Sequence, residues 1–467
     1  MQEAFGYGEQ EWRPQEGLYL GGCSAWELAD QFGTPLLVLA ESEIRSRCRR
    51  YRRAMESYAP GGRVIYAGKA FLNTAMALLI AQEGLCLDVV SGGELYIALN
   101  AGFPPERVVM HGNNKTPEEL SDALEHGVGT LVVDNFPELL LLEDLARSKG
   151  KRPAILLRLI PGVEAHTHEY IRTGQADSKF GISLEQGQAM AATRHALASL
   201  HVQLLGFHCH IGSQILALDA YLMAVEAMMD FIGQVARATG WTASVLDMGG
   251  GLGIRYLPED TPPSIETYLQ TLAEAVRAQA RRQGVPVPRL WVEPGRSIVG
   301  EAGTALYRVG SVKEAGRRRL YAAVDGGMTD NPRVALYQAR YQAWLLKAPG
   351  RRPGAVRDVT VAGHCCESGD ILVPHVRMSE PERGDLVAIP ASGAYQYAMS
   401  SNYNGYPRPA VVLVRDGRAM LIARREAYPD LVRLDLVPPD LRQRASEPAD
   451  QTGSAAVASL DGTKGEA

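Results

Sequence analysis

This chain of 467 residues is short of several features, and each shortage removes a class of function. No apolar run approaches the ~20 residues that a membrane-spanning helix needs. The opening stretch, MQEAFGYGEQEWRPQEG, is polar where a secretion signal would be apolar. Positive charge is not in surplus either: Lys+Arg 48 stand against Asp+Glu 53, a formal net charge of -5, so neither nucleic acid nor an anionic membrane finds a basic field. Cysteines number 6 (Cys23, Cys48, Cys86, Cys209, Cys365, Cys366) and show no CxxC or other metal-ligand spacing. A disulfide framework is therefore not expected, and no metal site is expected. These exclusions point to a cytoplasmic protein with no membrane and no nucleic-acid partner.

What the chain does have is a hydrophobic content of 46%, which at this length fits about two domains with buried cores. A basic run from Arg45 to Arg53 lies on a helical pattern whose other face holds Ile44, Cys48, Tyr51 and Met55, as a solvated helix face should. After a strand at Pro35–Leu39 and a helix at Glu41–Ser57, short aliphatic runs alternate with helical patterns. The strands are expected at Arg63–Ala67, Cys86–Val90, Arg107–His111, Thr130–Asp134, Ala154–Leu159, Leu204–His208, Val245–Met248 and Leu290–Glu293. Helices are expected between them, at Asn73–Glu83, Gly93–Asn100, Pro117–Glu125, Pro137–Lys149, Glu185–Leu200, Ala220–Ala238 and Ile265–Arg282. Thr116-Pro117-Glu118-Glu119 and Ser91-Gly92-Gly93-Glu94 both have capping-box form at helix starts.

Eight such strand–helix units predict an α/β fold of the (β/α)8 barrel type, with a doubly wound open sheet as the second possible architecture. From about Thr304 the helices give way to short strands joined by Gly, Pro and Asp turns, which predicts a β-domain of Greek-key or β-barrel type. The expected division is 1–39, an N-terminal segment packing with the β-domain; 40–303, the barrel; 304–444, the β-domain; and 445–467, a small, polar, disordered tail.

In such a barrel the residues after each strand converge on one rim. Lys69 follows the first strand in Tyr66-Ala67-Gly68-Lys69-Ala70, where desolvation can make its amine nucleophilic, so it is a candidate Schiff-base lysine. Gly249, Gly250 and Gly251 follow the seventh strand and can offer backbone N–H groups to a phosphate. An amine and a phosphate cradle on one rim suit a phosphorylated carbonyl, and pyridoxal 5'-phosphate meets that need. Glu293 could then pair with its pyridine nitrogen, and one of His208 and His210 could stack on its ring. Asp88 and Arg158 are placed for a charge network that steers Lys69, or for a simple ion pair.

Several motifs in this order resemble the fold-type III pyridoxal-phosphate decarboxylases, and among them the diaminopimelate decarboxylases. They are YAGKA, His166-Thr167-His168-Glu169-Tyr170 with Ser178-Lys179-Phe180-Gly181, HCHIGSQ, DMGGGLG, EPGRS, and His364-Cys365-Cys366-Glu367-Ser368-Gly369-Asp370. The resemblance runs from about Tyr19 to Pro438. It implies a carboxy-lyase that converts meso-2,6-diaminopimelate to L-lysine and CO2, the last step of lysine biosynthesis. It implies Lys69 and Cys366 as catalytic residues, Cys366 as proton donor, and His208, Gly249, Gly250, Gly251, Glu293, Gly295, Arg296 and Tyr395 as cofactor contacts. Arg296, Arg333, Tyr337, Glu367 and Tyr395 are implied as substrate contacts, with Cys366 and Glu367 reaching the site from the second subunit of a homodimer. Two positions depart from the family pattern: Val334 replaces a common proline, and Tyr341 stands where many members have histidine.

The arginines favour a substrate with a second carboxylate, because a distal amino-acid head needs a guanidinium for its carboxylate as well as an acid for its ammonium. Other readings remain: a carboxynorspermidine decarboxylase, a decarboxylase of ornithine, lysine or arginine, an amino-acid racemase, or a non-catalytic carrier of the cofactor.

Overall fold

The structure, a computed structural model, describes residues 10–13, 16–163, 178–316 and 319–441. The first nine residues, the segment His166 to Tyr170 and the tail from 445 onward lie outside these. One compact unit extends to Arg425 and holds both the barrel and the β-domain; a second begins at Glu426 and contains the short helix Tyr428–Leu431. Among the described residues no helix is long and apolar enough to cross a membrane.

Eight parallel strands form a closed ring: Arg63–Ala67, Cys86–Val89, Val108–Met110, Thr130–Val133, Ala154–Ile160, Gln203–His208, Val245–Asp247 and Arg289–Val292. Each pairs with the next, and the eighth returns to the first through Trp291 opposite Arg63 and Val292 opposite Val64. All eight agree with the sequence expectation to within two residues. The helix expected from Glu185 starts later, at Gln188, because Gly187 takes a left-handed φ of 73° and Glu185–Gly187 closes as a 3-10 turn.

Side chains alternate across these strands, and that alternation builds the interior in two layers. Ile65, Cys86, Val109, Val132, Leu156, Val245 and Trp291 pack together as an apolar floor, while their neighbours Val64, Tyr66, Leu87, Val108 and Leu131 belong to the shell under the helices. Two residues further along each strand the inward positions are Ala67, Asp88, His111, Asp134, Arg158, His208, Asp247 and Glu293. All eight are buried, and seven are ionisable. Above an apolar floor, then, lies a layer of charge that water does not reach.

The β-domain is a mixed nine-stranded sheet. The N-terminal strand, observed at Leu36–Ala40, sits inside it, antiparallel to Gly303–Ala315 and parallel to Ala410–Arg415. Its five residues are all buried, which is why they read as one continuous apolar run. The strands Trp344–Leu346 and Ile371–Ser379 were not expected; the second carries Pro374, His375 and Arg377 and ends the sheet, where a proline is tolerated.

The Arg45–Arg53 face differs from its expectation. Arg45 pairs with Glu41 and Glu83, Arg47 with Glu43 and Glu301, Arg49 with Glu83, and Arg50 with Glu266. Much of that face is therefore tied to neighbouring helices and the end of the barrel rather than simply solvated.

Gly206 marks the tightest approach in the ring. A Cβ there would lie 1.9 Å from the carbonyl oxygen of Val245, at a register shift in the sixth strand. Gly206→Ala should force these strands apart and lower stability by about 2 kcal/mol or more, read as a fall in the urea midpoint; an unchanged midpoint would show that the ring relaxes freely there.

Candidate active site

The turn Gly68–Ala70 follows the first strand and carries Lys69. Its tightness depends on Gly68, where a Cβ would stand 2.7 Å from the carbonyl oxygen of Asp88 on the second strand. The Lys69 side chain is exposed to a cavity of about 610 Å³. The lining includes Phe180, His210, Ser213, Tyr256, Arg296, Arg333, Tyr337 and Tyr395. A narrower recess beneath it is bounded by Ala67, Lys69, His210, Ser213, Gly250, Gly251, Glu293, Gly295, Arg296, Ser297 and Tyr395. The catalytic, cofactor and substrate residues that the resemblance implied thus meet at one place, with four exceptions.

The first exception is His208. It is 1% exposed and lies behind Glu293, with Nε2 3.3 Å from Oε2, whereas His210 is the histidine on the cavity wall. Period two explains this: positions 206 and 208 face into the barrel, and the chain leaves the strand after 208. The second is Gly249, which turns with φ 64° and gives its N–H to Asp247 Oδ1 at 2.9 Å. The N–H of Gly250 goes to His210 Nδ1 at 3.2 Å, so two of the three glycine donors are engaged within the protein. Their need for glycine is close packing: a Cβ at Gly250 would lie 2.2 Å from the carbonyl oxygen of Glu293. As an acceptor at Nδ1, His210 is a neutral ring, and burial, then Lys69, hold its pKa well below the ordinary histidine value.

Cys366 and Glu367 are the other two. Both are exposed on a loop of the β-domain, where Asn404 Oδ1 accepts the Cys366 N–H at 2.8 Å, and neither lines the cavity of its own chain. The neighbouring Cys365 is half-buried, and burial followed by Asp370 pushes its thiol up to about 12.

The expected Asp88–Arg158 network divides in two. Asp88 lies 3.9 Å from His111, and Arg158 lies 3.6 Å from Asp134 with its guanidinium over the Phe180 ring. His111, which sequence reasoning passed over as a strand end, holds its Nε2 2.7 Å from Glu293 Oε1 and packs edge-on against the His208 ring. Burial opposes a charge on Glu293, but His111 and His208 outweigh it and hold the carboxyl well below its usual range. His111 is raised by Glu293 and Asp88 against the effect of burial, while burial pushes His208 down to about 4. Asp247 is raised well above the carboxylate range by burial, then by Glu293, so its proton is kept and Glu293 carries the charge. His111, His208 and Glu293 also bring three ligand-type atoms within 4.8 Å of one another, an arrangement that the ion pairing already accounts for.

Arg296 and Arg333 are both buried, and the phenolic oxygen of Tyr256 accepts from both. Tyr395 has an unusual φ of 61°, stacks against the Arg296 guanidinium at 4.7 Å, and gives its N–H to the carbonyl of Ala70 next to Lys69. A non-glycine residue in that conformation is strained, and such strain concentrates at functional sites.

Residues 41–300 match the model of the pyridoxal-dependent decarboxylase family, pyridoxal binding domain. The chain belongs to the pyridoxal-dependent decarboxylases. The family match covers the barrel, and the likeness to individual relatives extends over the β-domain too. The decarboxylase is 50% identical to the diaminopimelate decarboxylase of Bacillus subtilis over 421 residues, 90% of this chain and 95% of that one. It is 45% identical to the diaminopimelate decarboxylase of Mycobacterium tuberculosis over 426 residues, 89% of this chain and 94% of the relative. The structure of diaminopimelate decarboxylase from M. jannaschii in complex with L-lysine superposes with a TM-score of 0.86 at 35% identity, covering 93% of this chain and 99% of that one.

The decarboxylase uses pyridoxal 5'-phosphate, and the recess suits it. An amine, an ionised buried carboxylate and close-approach glycines surround one space. Glu94, expected only as the acid of a capping box, is a further group near Lys69. Its carboxylate accepts the Val90 N–H at 2.7 Å, not the Ser91 N–H that a full capping box requires, whereas Thr116 and Glu119 do form one. Burial, then Asp88, push Glu94 up to about 7. Its folded value exceeds its unfolded value, so ionising it disfavours the fold as pH rises from about 4.5 to about 7. Glu94→Gln should therefore gain stability over the parent at pH 8 but not at pH 4.5, as read by urea unfolding of the apoprotein; an equal difference at both pH values would refute the ionisation argument.

Proposed function

We propose that the chain decarboxylates meso-2,6-diaminopimelate to L-lysine and CO2, the closing step of lysine biosynthesis. The observation that carries this reading is the pair of buried guanidiniums, Arg296 and Arg333, on the wall of the cavity that Lys69 enters. Neither has a carboxylate within ion-pair distance among the described residues, so both guanidiniums lack a matching negative charge on the cavity wall. A substrate with a distal carboxylate supplies it. Ornithine, lysine and arginine carry no second carboxylate, and burying two unmatched guanidiniums against an ammonium would be unfavourable by several kcal/mol.

Bound pyridoxal 5'-phosphate supplies an electron sink for the bond that breaks when CO2 leaves. Lys69 would hold the cofactor through its amine, and the same position would be open to the substrate's amine. Glu293, ionised by its contact with His111, would pair with the pyridine nitrogen and favour a proton there. His210 is placed for the ring face, and Gly251, Gly295 and Ser213 for the phosphate end, with Gly250 allowing close approach. Tyr337 and Tyr395 close the wall around the substrate. The site as a single chain builds it contains no thiol, so Cys366, with Glu367, is assigned to the site of a second copy, where it gives a proton to the α-carbon from which CO2 has left. This makes the active form a homodimer. A cytoplasmic setting accords with six free cysteines.

The deciding experiment is CO2 release from meso-diaminopimelate beside ornithine, lysine, arginine and carboxynorspermidine; turnover of any of the last four at a higher kcat/KM would overturn the substrate assignment. Lys69→Ala and Cys366→Ala should each be inactive or nearly so alone. Mixed and reassociated, they should recover up to about a quarter of parent activity, since half the dimers are hybrids and one of their two sites is intact. No recovery in a hybrid shown to form would place the thiol in its own subunit's site. His111→Asn, which leaves Glu293 without its closest cation, should weaken cofactor binding by on the order of tenfold, measured by absorbance titration of the apoprotein. Unchanged affinity would remove His111 from this role.

A further inference from the structure

Arg296 and Arg333 reach the cavity from opposite parts of the molecule. The first begins the helix Arg296–Val299 after the eighth barrel strand, and the second begins the helix Arg333–Tyr337 of the β-domain. Two guanidiniums brought together in a buried site repel each other, and no carboxylate among the described residues pairs with either. What joins them is one oxygen. The Tyr256 phenol accepts from Nη1 of Arg296 and from Nη1 of Arg333, the latter at 3.0 Å.

The remaining contacts are neutral as well. Ser213 Oγ accepts from Arg296 at 2.8 Å, the Tyr341 hydroxyl accepts from Arg333, and Nε of each arginine is buried without a hydrogen-bond partner. Tyr256 is itself held firmly. Its backbone N–H goes to Asp260 Oδ2 at 2.9 Å, its ring meets Tyr341 edge-on with centroids 5.2 Å apart, and it is 6% exposed. Burial raises the phenol's pKa, but Arg296 and Arg333 outweigh this and leave it lowered, so the oxygen is a strong acceptor for two cationic donors.

We propose that Tyr256 is a positioning residue that fixes the spacing of Arg296 and Arg333 and thereby selects substrates carrying a carboxylate at the end remote from the reacting carbon. This rests on the decarboxylase reading given above and names the residue behind its substrate preference. Tyr256 does not touch the reacting atoms. It acts through the two arginines, so its loss should appear in binding of the distal end and not in the chemical step.

The test compares parent holoenzyme with Tyr256→Phe, which keeps the ring and removes the oxygen. KM for meso-diaminopimelate should rise about tenfold with kcat changed less than twofold, since a hydrogen bond to a charged group is removed at each arginine. Calorimetry gives a readout free of turnover. The dissociation constants for pimelate, a dicarboxylate without amines, and for hexanoate, whose one carboxylate can reach the same arginines, should rise by a similar factor, while cofactor affinity should not change. A folded variant with full cofactor content and unchanged or lower KM and pimelate dissociation constant overturns the proposal. If Tyr256→Phe does not fold, Tyr256→His, which retains a ring acceptor, should show a smaller rise in both values, and no rise overturns the proposal equally. Failure of the parent to release CO2 from meso-diaminopimelate would instead sink the functional reading, and the pimelate comparison would still decide the role of Tyr256.

Discussion

The contact between His111 and Glu293 is the constraint on which this molecule's chemistry depends. A carboxylate in a closed barrel, cut off from water, would ordinarily take up a proton, because desolvation disfavours its charge. Here an imidazole 2.7 Å away and a second one behind it reverse that tendency. The proton the layer does keep is placed on Asp247, whose Oδ1 is occupied by the Gly249 N–H, and Arg158 is held by Asp134. Charge in the upper layer is thus assigned residue by residue. The assignment is possible because strand alternation brings one ionisable side chain from seven of the eight strands to the same level. The apolar floor of Ile65, Val109, Val132, Leu156 and Trp291 keeps that level dry from below.

Rigidity above the layer comes from the β-domain. Tyr395 is tied to Ala70 by its backbone N–H and sits at φ 61°, a conformation that the surrounding chain must impose. Gly393 allows this closeness: a Cβ there would lie 1.9 Å from the carbonyl oxygen of Val299, in the helix that carries Arg296. The N-terminal strand Leu36–Ala40 pairs with the sheet on both sides and passes directly into the long helix beginning at Glu41. The chain therefore enters the β-domain before it forms the barrel and returns to it afterwards. Lys69 and Tyr395 are held in one frame by hydrogen bonds and by a core that the barrel and the β-domain share.

Much of this was legible in the sequence, and the parts that were not share a cause. Continuous apolar runs such as Val64-Ile65-Tyr66 gave the barrel strands, because both faces of a parallel strand are buried. Lys69, Glu293, Arg296 and the glycines followed from knowing which strand end each occupies. The choice between His208 and His210 required the last inward position of the sixth strand, a matter of a single residue that period two decides only once the strand's end is known. His111 looked like the polar end of a strand, and nothing local distinguishes it from a solvated histidine; its role comes from lying across the barrel from Glu293, 182 positions away in sequence. Tyr256 was hidden in the same way, since its two partners arrive from different parts of the fold. The nest of glycines was overread: a run of three suggested three free donors, but close packing against His210 and Asp247 uses two of them.

The two charged ends of the site bear on each other. At the barrel end, negative charge on Glu293 is maintained against burial and is suited to a protonated ring nitrogen. On the cavity wall, two guanidiniums are left without any acid among the described residues and share a phenol in its place. The ring nitrogen proposed for Glu293 belongs to the cofactor and the carboxylate proposed for the guanidiniums belongs to the substrate, so both imbalances are relieved only when the two are bound together. An ammonium set against the guanidiniums in place of that carboxylate would be unfavourable by several kcal/mol in a buried site. The exposed loop of Cys366 and Glu367 adds nothing to that polarity from within its own chain.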